Sequence, residues 1–468
     1  MKVQKSVRPQ RGCAGARNIH CLLARIVLAI GLTASVSGPS EAATYYASPA
    51  GSGDGQTAET PFRIADFWKR ARAGDTLFLL DGVYRGSASM IAPPQGLKGE
   101  SGKPITVRAL RDGGAEIDGE NARRPVKLSR NDWFVLEGFN AHSADSGGRD
   151  SASVVELSRS NHNIVRRICA WDAQDANADV FGVHYSEHNL IEDCAAWGIA
   201  RKVYSSSQAG NHTTLRRCWG RWEGCHAVGP KLTYTLAYNN YDMLVENCIG
   251  TWSGERMRAD YTLVDYEGKP WPADKPRQFT DHGVDQPYAI FGVDRLDGDK
   301  HARARLLGSI AYVTAHDRFQ AGSLVAVTGM DSFEIADTVA CIELGSHPDK
   351  QTFRLSTIRG GGAGDLRARN LIGLGGHGAS FQRDWKVADL LERSDSKTAF
   401  GGAQGLLATS AGANLRFRYR DGVLTGEPLW PWPMNRRIID AMKSAGYAPV
   451  DVTATIEKLL GPIPQPSQ

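Results

Sequence analysis

The sequence predicts an all-β chain that folds as a single right-handed parallel β-helix, with an N-terminal capping helix and a short helical C-terminal tail. Two observations predict this fold class. A short unit recurs along the middle of the chain at intervals of 24 to 30 residues. No amphipathic helical stretch separates its copies, which argues against leucine-rich or α-helical solenoids.

The repeating unit has apolar residues at its second, third and sixth positions. Its clearest copies begin at Asn163, Asn189, Thr213 and Met243, and a tryptophan follows each of them. The unit is short and rich in β-branched residues, and Gly, Asn, Asp and Ser separate its copies, so strands joined by turns fit best. One coil of a β-helix per copy accounts for the period, with successive coils about 4.8 Å apart.

Charged residues occupy the fourth and fifth positions of the unit. In stacked coils these positions form two columns in which the sign of charge alternates: Arg166, Glu192, Arg216 and Glu246, then Arg167, Asp193, Arg217 and Asn247. Opposite charges on adjacent strands are favourable, whereas like charges are not. We therefore interpret these arginines as part of the scaffold.

The sixth position holds cysteine in three successive coils. Cys194, Cys218 and Cys248 fall there, and the same column is expected to continue at Ile310. Buried free cysteine behaves as a small apolar residue. We expect an interior column of thiols in preference to disulfides, and no metal or catalytic cysteine, because the chain contains no CxxC pair.

The first 42 residues are predicted to be a signal peptide. Six basic residues precede the apolar run 26–36, and Ser40 and Ala42 are the small residues expected before a cleavage site. The run is too short to span a bilayer, so we expect an exported, periplasmic or extracellular protein without a transmembrane segment. Without these residues the chain has 49 basic and 50 acidic residues instead of 55 and 51, a balance that gives no sign of nucleic-acid binding.

The entry into the repeats carries several short motifs. They are Tyr45-Tyr-Ala-Ser-Pro, Gly74-Asp-Thr, Asp81-Gly-Val-Tyr and Pro104-Ile-Thr-Val. Over residues 44–119 the chain resembles secreted proteins of the pectate-lyase-like β-helix superfamily, and the repeats extend the likeness to about residue 425. The resemblance implies a polysaccharide as partner. Members cleave acidic polysaccharides by β-elimination, hydrolyse them, epimerise uronates or only bind glycans, so the fold does not fix the reaction.

The domain organisation predicted from these features is simple. A β-helix domain covers residues 43–425, with an insertion loop at about 254–287 that could form a binding wall or a plain surface excursion. Residues 426–468 are rich in proline and tryptophan and contain two short helical stretches. We expect this tail to cover the open end of the solenoid, and we expect a monomer.

Candidate catalytic residues precede the repeat unit by a similar interval in successive coils, so we expect them to share one face of the solenoid. Elimination needs a partner for the uronate carboxylate and a base for the proton at C5. Lys202 or Tyr204 is the expected proton-transfer group, Arg201 or Lys231 the carboxylate partner, and His184 a further catalytic residue. Expected substrate-binding residues are Lys231, Tyr238, Tyr241 and Trp271. A solvated basic face with structural tyrosines is the alternative.

Three carboxylates suggest a calcium site. Asp172, Asp175 and Asp179 fall within eight residues, and oxygen ligands at that density suit Ca²⁺. Turns between coils are also ordinarily rich in aspartate. The sequence predicts no other cofactor.

The leading hypothesis is an exported polysaccharide lyase that acts on a uronate-containing polysaccharide. A non-catalytic protein that binds glycans or assembles surface polysaccharide is the first alternative. Glycoside hydrolysis needs paired carboxylates, and the chain has no Asp-Asp pair beside its Gly376-His-Gly motif. Uronate C5-epimerisation stays open through His316.

Overall fold

The computed structural model describes most of the chain from residue 42 onward. The described residues are 42–145, 153–173, 178–224, 232–238, 240–252, 289–294, 303–314, 323–343, 351–355, 365–376, 379–381, 385–393 and 409–461. Residues 1–41 and the expected insertion at 254–287 therefore lie outside them. Within these ranges, no helix is both long and apolar enough to cross a membrane.

Three parallel sheets run the length of the solenoid. The first, sheet 1, consists of β1 Thr44–Ala47, β2 Thr76–Leu79, β4 Ile105–Ala109, β7 Phe134–Glu137, β10 Ile164–Arg166, β13 Leu190–Glu192, β16 Thr214–Arg216, β19 Met243–Glu246, β22 Arg303–Leu307, β25 Ser332–Ile342, β27 Leu366–Leu374 and β29 Lys386–Arg393. Each strand pairs with the corresponding strand of the next coil, which is the arrangement of a parallel β-helix.

Sheet 2 follows sheet 1 in each coil. It consists of β3 Gly82–Tyr84, β5 Ala115–Arg123, β8 Asn140–Ala144, β11 Cys169–Trp171, β14 Ala195–Trp197, β17 Trp219–Arg221, β20 Ile249–Trp252, β23 Ile310–Val313 and the second halves of β25, β27 and β29. Sheets 1 and 2 together form one hydrogen-bonded array of 20 strands.

Sheet 3 closes each coil. It consists of β6 Val126–Ser129, β9 Val155–Ser158, β12 Asp179–His184, β15 Lys202–Ser207, β18 Leu232–Ala237, β21 Ala289–Asp294, β24 Ser323–Thr328, β26 Gln351–Leu355 and β28 Ser380–Phe381. The predicted fold class is therefore confirmed: the chain is a right-handed parallel β-helix, the hand that parallel crossover connections take almost without exception.

From Gly138 onward, the corner between sheets 1 and 2 is a single left-handed residue in each described coil. Arg167, Asp193, Arg217 and Asn247 have φ values of 55°, 52°, 49° and 51°. Asn and Asp tolerate this region better than other residues with a Cβ, which explains their frequency at the fifth position of the repeat. One such residue turns the chain without interrupting the stacking.

The register confirms the predicted charge columns. Arg166 pairs with Glu192, Glu192 with Arg216, and Arg216 with Glu246. Arg216 Nε lies 2.5 Å from Glu246 Oε1, and Arg217 Nε lies 2.6 Å from Asp193 Oδ1. Arg216 and Arg217 are buried in these pairs, and Arg166 and Arg167, which are partly exposed, are paired with Glu137 and Asp112.

The predicted cysteine column is also confirmed, with one correction. Cys194, Cys218 and Cys248 are buried free thiols, and each Sγ lies within 3.6 Å of the carbonyl oxygen two residues before it. The next member is Ser309, whose hydroxyl accepts a hydrogen bond from Cys248 N at 3.2 Å. The expectation of Ile310 is wrong by one residue, because Ile310 pairs with the outward-facing Ile249.

Among the described residues, the helices lie toward the two ends of the chain. They are α1 Ile64–Phe67, the 3₁₀ helix Ser87–Ser89, α2 Ser410–Asn414, α3 Asn435–Ser444 and α4 Val452–Leu460. α1 is a single turn that buries Ile64 and Phe67; its role as a cap stays a prediction. Asp451 is the N-cap of α4, and its carboxylate accepts a hydrogen bond from Ala454 N at 2.8 Å.

The C-terminal segment packs along the flank of the solenoid. A hairpin, β30 Phe417–Arg420 and β31 Val423–Pro428, precedes the helices. The backbone amide of Tyr419 in this hairpin donates a hydrogen bond to Asn247 Oδ1 at 2.5 Å. Trp430 and Trp432 are buried against the outer face of sheet 2, in one apolar cluster with Trp197.

Arg437 of α3 anchors this segment further along the flank. Its guanidinium donates to Asp112 Oδ1 at 2.6 Å, Phe139 O at 2.6 Å and Asn140 Oδ1 at 2.8 Å, and also to Arg167 O. These contacts place the segment on the outer side of sheet 2. The expected position over the open end is therefore wrong, because the apolar outer face of sheet 2 needs cover; the predicted boundaries at 42, 425 and 426 stay predictions.

Candidate active site on sheet 3

A cluster of charged and polar side chains lies on the outer face of sheet 3. Strands alternate inward and outward side chains, and β12 and β15 place Asp179 beside Lys202 and His184 beside Ser207 in the register. Asp179 is 1% exposed, Lys202 8% and Ser207 3%. Charged groups are rarely buried to this extent unless they are paired, so the cluster is unusual for an outward face.

Gly182 explains how the cluster is assembled. A Cβ at this position would lie 2.7 Å from His184 Nε2 and 2.4 Å from Ser153 Oγ, so only glycine leaves room for both groups. The imidazole lies back across Gly182 toward the start of its own strand. This orientation brings Nε2 to 3.3 Å from Asp179 Oδ2.

Both nitrogens of His184 have polar neighbours. Nδ1 forms a hydrogen bond with Ser207 Oγ at 2.8 Å. Nε2 is close to Asp179 but is not aligned for a hydrogen bond. Asp179, His184 and Ser207 therefore form a continuous carboxylate, imidazole and hydroxyl series across two coils.

Two cations complete the cluster. Lys202 Nζ lies 4.0 Å from Asp179 Oδ1, and Arg201 precedes Lys202 in the chain. Burial raises the pKa of the Asp179 carboxyl, but the Lys202 ammonium, His184 and Arg201 together outweigh burial, so its pKa is lowered. Asp179 is thus ionised at neutral pH and favours a charged Lys202.

Several buried polar atoms around Gly182 have unused hydrogen-bonding capacity. Asp179 Oδ1, His184 Nε2 and the hydroxyls of Ser153, Ser205 and Thr235 have no hydrogen-bond partner among the described residues. Buried polar atoms of this kind are normally satisfied by protein or by ordered water. A polar ligand with hydroxyl or carboxylate groups would satisfy them.

The structure brings together three of the expected site residues. Lys202 and His184, expected to be catalytic, adjoin Asp179, which was expected to bind calcium. Arg201 acts on the same carboxylate through its charge. The sequence therefore predicts the core of the cluster, although it assigns Asp179 a different task.

Tyr204 does not belong to the cluster. It is completely buried inside the solenoid, where it stacks between Phe181 and Tyr234 at 5.0 and 4.9 Å. Its hydroxyl donates to Trp219 O at 3.1 Å. The expected proton-transfer role does not fit this interior position, because a glycan outside the coils cannot reach the hydroxyl.

The expected substrate-binding tyrosines lie at turns beyond the end of β18. Tyr238 is a corner residue with φ 61°. The Tyr241 ring meets the His212 ring edge-on at 4.8 Å, at one end of a stack of corner residues that also includes His188 and His162. Lys231, Trp271 and Asp175 lie outside the described residues.

The expected calcium ligands are not gathered at one point. Asp172 is a buried corner residue that accepts hydrogen bonds from Ile199 N at 3.1 Å and from the Tyr447 hydroxyl. Asp179 faces Lys202 on sheet 3. Among the residues that the structure describes, no group of three His, Cys, Asp or Glu side chains is arranged to hold a metal ion. Asp172 is thus used by the scaffold, and calcium binding stays a prediction.

Sequence reasoning missed Ser207 and Gly182. Ser207 is recognisable only from the coil register, which pairs it with His184. Tyr185 follows His184 directly, is 48% exposed, and lies 4.8 Å below the Arg159 guanidinium. An exposed aromatic ring beside the cluster offers a surface on which a sugar ring can pack.

Comparisons with known proteins find solved structures of low sequence identity. No family model and no curated protein matches the chain. Solved structures similar to it include pectate lyase Pel9A, with a TM-score of 0.45 and 14% identity over 86% of this chain and 92% of that one. A rhamnogalacturonan lyase has a TM-score of 0.42 and 16% identity over 75% of this chain and 86% of that one.

A third similar structure is an alginate lyase from Paenibacillus sp. str. FPU-7. Its TM-score is 0.39, with 13% identity over 74% of this chain and 99% of that one. All three similar structures are lyases by description. The assignment of its own fold rests on the strand register given above.

Proposed function

We propose that this protein is an exported polysaccharide lyase that cleaves a uronate-containing polysaccharide by β-elimination on the outer face of sheet 3. The observation that carries this proposal is the Asp179, His184 and Lys202 cluster. It holds an imidazole beside a carboxylate and an ammonium on a buried outward face. Export rests on the character of residues 1–42.

The cluster has the groups that elimination requires. Lys202 and Arg201 would bind the uronate carboxylate and stabilise the negative charge that develops when the C5 proton leaves. Asp179 favours the ammonium form of Lys202, which suits Lys202 to charge stabilisation and not to proton abstraction.

His184 is the proposed base. Its Nε2 has no hydrogen bond within the described part of the chain, so it is the atom that would take the C5 proton. Asp179 would stabilise the imidazolium formed, as a carboxylate does beside a catalytic histidine. The exposed ring of Tyr185, next in the chain, would support the neighbouring sugar.

The test is a product assay. Purified protein is incubated with polygalacturonate, rhamnogalacturonan and alginate, with and without Ca²⁺, and the ultraviolet absorbance of the unsaturated uronate product is recorded. We expect one substrate class to give product. His184→Ala should reduce the rate at least about 100-fold, the usual contribution of a general base.

A matched control separates loss of the base from general damage. His212→Ala removes a histidine at a corner outside the cluster and should keep the rate within about twofold. If no substrate gives unsaturated product under any condition, the lyase proposal is wrong.

The depth of the cluster favours glycan binding without turnover as a second candidate. Asp179 is 1% exposed and Ser205 is 3% exposed, so approach of a sugar ring to His184 is restricted. A binding protein would retain one of the same polysaccharides in affinity electrophoresis without forming product. Loss of retention in Tyr185→Ala, with no product from any variant, would support this candidate over the lyase.

A further inference from the structure

Ser207, His184 and Asp179 have the order and spacing of a serine hydrolase triad. Ser207 Oγ lies 2.8 Å from His184 Nδ1, and His184 Nε2 lies 3.3 Å from Asp179 Oδ2. A serine becomes a nucleophile when a base lies within hydrogen-bond reach and a carboxylate orients that base. The first condition holds across β12 and β15, and the Asp179 carboxylate lies beside the second ring nitrogen, where it can stabilise an imidazolium without an aligned hydrogen bond.

The arrangement is more specific than a polar column between coils. Ser158 and Ser207 flank His184 on the two neighbouring strands and occupy equivalent positions in the register. Nδ1 of His184 forms its hydrogen bond with Ser207, and the imidazole is held there because it lies across Gly182. One of two equivalent serines is therefore selected.

A second observation points to a ligand at the same place. The hydroxyls of Ser205 and Ser153 are buried, 3% and 0% exposed, and neither has a hydrogen-bond partner among the described residues. Ser205 precedes Ser207 by two residues on the same outward face and pairs with Gly182 in the register. Because its hydroxyl is on the face of Ser207 and has no partner among the described residues, Ser205 is the candidate donor to an oxyanion.

We propose that Ser207 is the nucleophile of an ester hydrolase activity, with His184 as its base and Asp179 as the carboxylate that stabilises the imidazolium formed during the reaction. The substrate class is a carboxylic ester. That the ester belongs to a glycan, as an acylated hydroxyl or an alkyl uronate, rests on the proposed function, whereas the esterase chemistry does not.

The reaction balances with water as the only co-reactant. Ser207 Oγ attacks the ester carbonyl while its proton moves to His184 Nδ1, and the tetrahedral intermediate expels the alcohol, which takes that proton. Water then attacks the acyl-serine, gives its proton to His184, and the released acid leaves Ser207 with its hydroxyl restored. Asp179 stabilises the imidazolium in both halves.

The first test is covalent labelling of the full chain with a fluorophosphonate, followed by intact mass and peptide mapping. We expect one adduct per chain, on Ser207. Ser207→Ala and His184→Ala should reduce labelling at least about 100-fold, and Ser158→Ala, the matched control on the other side of His184, should label like the unmodified protein. Circular dichroism confirms that each variant is folded.

The second test identifies the ester. The protein is incubated with 4-nitrophenyl acetate, O-acetylated polygalacturonate and methyl-esterified polygalacturonate, and the released nitrophenol, acetate and methanol are measured. Acetate release indicates acylated hydroxyls and methanol release indicates alkyl uronates. Release from any of the three that is lost in Ser207→Ala supports the proposal.

The outcomes separate this proposal from the lyase. Labelling of Ser207 without unsaturated product would support the ester hydrolase and overturn the lyase. If unsaturated product forms while Ser207 is not labelled, and no alcohol or acid is released in a way that depends on Ser207, the lyase is supported and the ester hydrolase is overturned. Labelling at a serine other than Ser207, or equally in Ser207→Ala, would overturn the triad.

Discussion

His184 Nε2 lies 3.3 Å from Asp179 Oδ2, although the two residues stand at opposite ends of the same six-residue strand. An extended strand separates such residues by about 16 Å at 3.3 Å per residue. The contact forms because Gly182 between them has no side chain and the imidazole lies back across it. The chemistry proposed for sheet 3 therefore depends on a glycine as much as on its ionisable groups.

Gly182→Ala should abolish activity without unfolding the chain. The new Cβ would displace His184 and Ser153, and a displacement of about 1 Å at a catalytic group costs on the order of 100-fold in rate. Elimination and ester hydrolysis are both measured, together with the melting temperature. Gly426→Ala is the control, because a Cβ there meets nothing within 4 Å. Unchanged rates in Gly182→Ala would contradict the proposed assembly of the site.

Asp179→Asn should destabilise the protein in a pH-dependent manner. Removal of one partner from a buried charged group costs about 3–5 kcal/mol. Because the pKa of Asp179 is lowered from 3.8, its contribution is fully present above that pH and is lost as pH falls through the lower folded-state value. The gap in melting temperature between the two proteins should be constant from neutral pH to about pH 5 and close only below 3.8.

Asp66→Asn is the control for this pH dependence. Asp66 also has a lowered pKa, chiefly through its hydrogen bond with Lys69, but the pair is exposed. Exposed ion pairs contribute about 0–1 kcal/mol, so the melting temperature of this variant should be close to that of the unmodified protein. A pH-independent gap for Asp179→Asn would contradict an ionised Asp179 in the cluster.

Arg216→Ala should destabilise the solenoid far more than Arg166→Ala. Arg216 pairs with Glu246, whose side chain is 0% exposed, so its loss leaves a buried carboxylate unpaired and should cost about 3–5 kcal/mol. Arg166 stands in the same column, but its side chain is 41% exposed and pairs with Glu137, so its loss should cost about 0–1 kcal/mol. Denaturant titration of both variants measures the loss in the free energy of unfolding. Equal losses in the two variants would contradict the assignment of Arg216 as the partner of a buried carboxylate.

The fold was predictable because each coil repeats the same pattern. Apolar positions three and six of the unit point inward in coil after coil, and the alternating charges of Arg166, Glu192 and Arg216 identify the register. The position of Ile310 was missed because its unit places Gly308 at the corner, which shifts the alignment by one residue.

The site was only partly predictable, because it depends on contacts between coils. His184 and Lys202 stand out as ionisable residues, but Ser207 becomes relevant only when β15 is paired with β12. Tyr204 looked functional beside Lys202, yet an irregular alternation in β15 turns its ring into the core, where it is completely buried. The tail was misplaced because sequence does not reveal that the outer face of sheet 2 is apolar.

Arg437→Ala should loosen the C-terminal segment from the flank. The Arg437 guanidinium binds Asp112, Phe139 O and Asn140, and hydrogen bonds to charged groups contribute about 1.5–3 kcal/mol each. Limited proteolysis should cut α3 and α4 faster, with a lower melting temperature. Arg436→Ala is the control, since that side chain is 83% exposed and pairs only with Asp440 among the described residues. Equal protease resistance would contradict the anchoring role.

The five described cysteines should be unreactive in the folded protein. Cys169, Cys194, Cys218, Cys248 and Cys341 are buried and free. Burial raises the pKa of Cys169 to about 11 and raises the pKa of Cys194 and Cys248 as well, so the thiolate, which is the reactive form, is scarce in these three at neutral pH. For Cys218, burial acts in the same direction, but hydrogen bonds with Cys194 and Cys248 outweigh it and lower the pKa. Its side chain is completely buried, so a reagent cannot reach it in the folded protein.

The measurement is thiol titration of a Cys225→Ser chain that begins at Ala43, before and after addition of guanidinium chloride. We expect five thiols to react only after unfolding. Dithiothreitol should leave the melting temperature unchanged, because no disulfide contributes to stability. A folded protein that reacts within minutes, or one whose melting temperature falls on reduction, would contradict an interior thiol column.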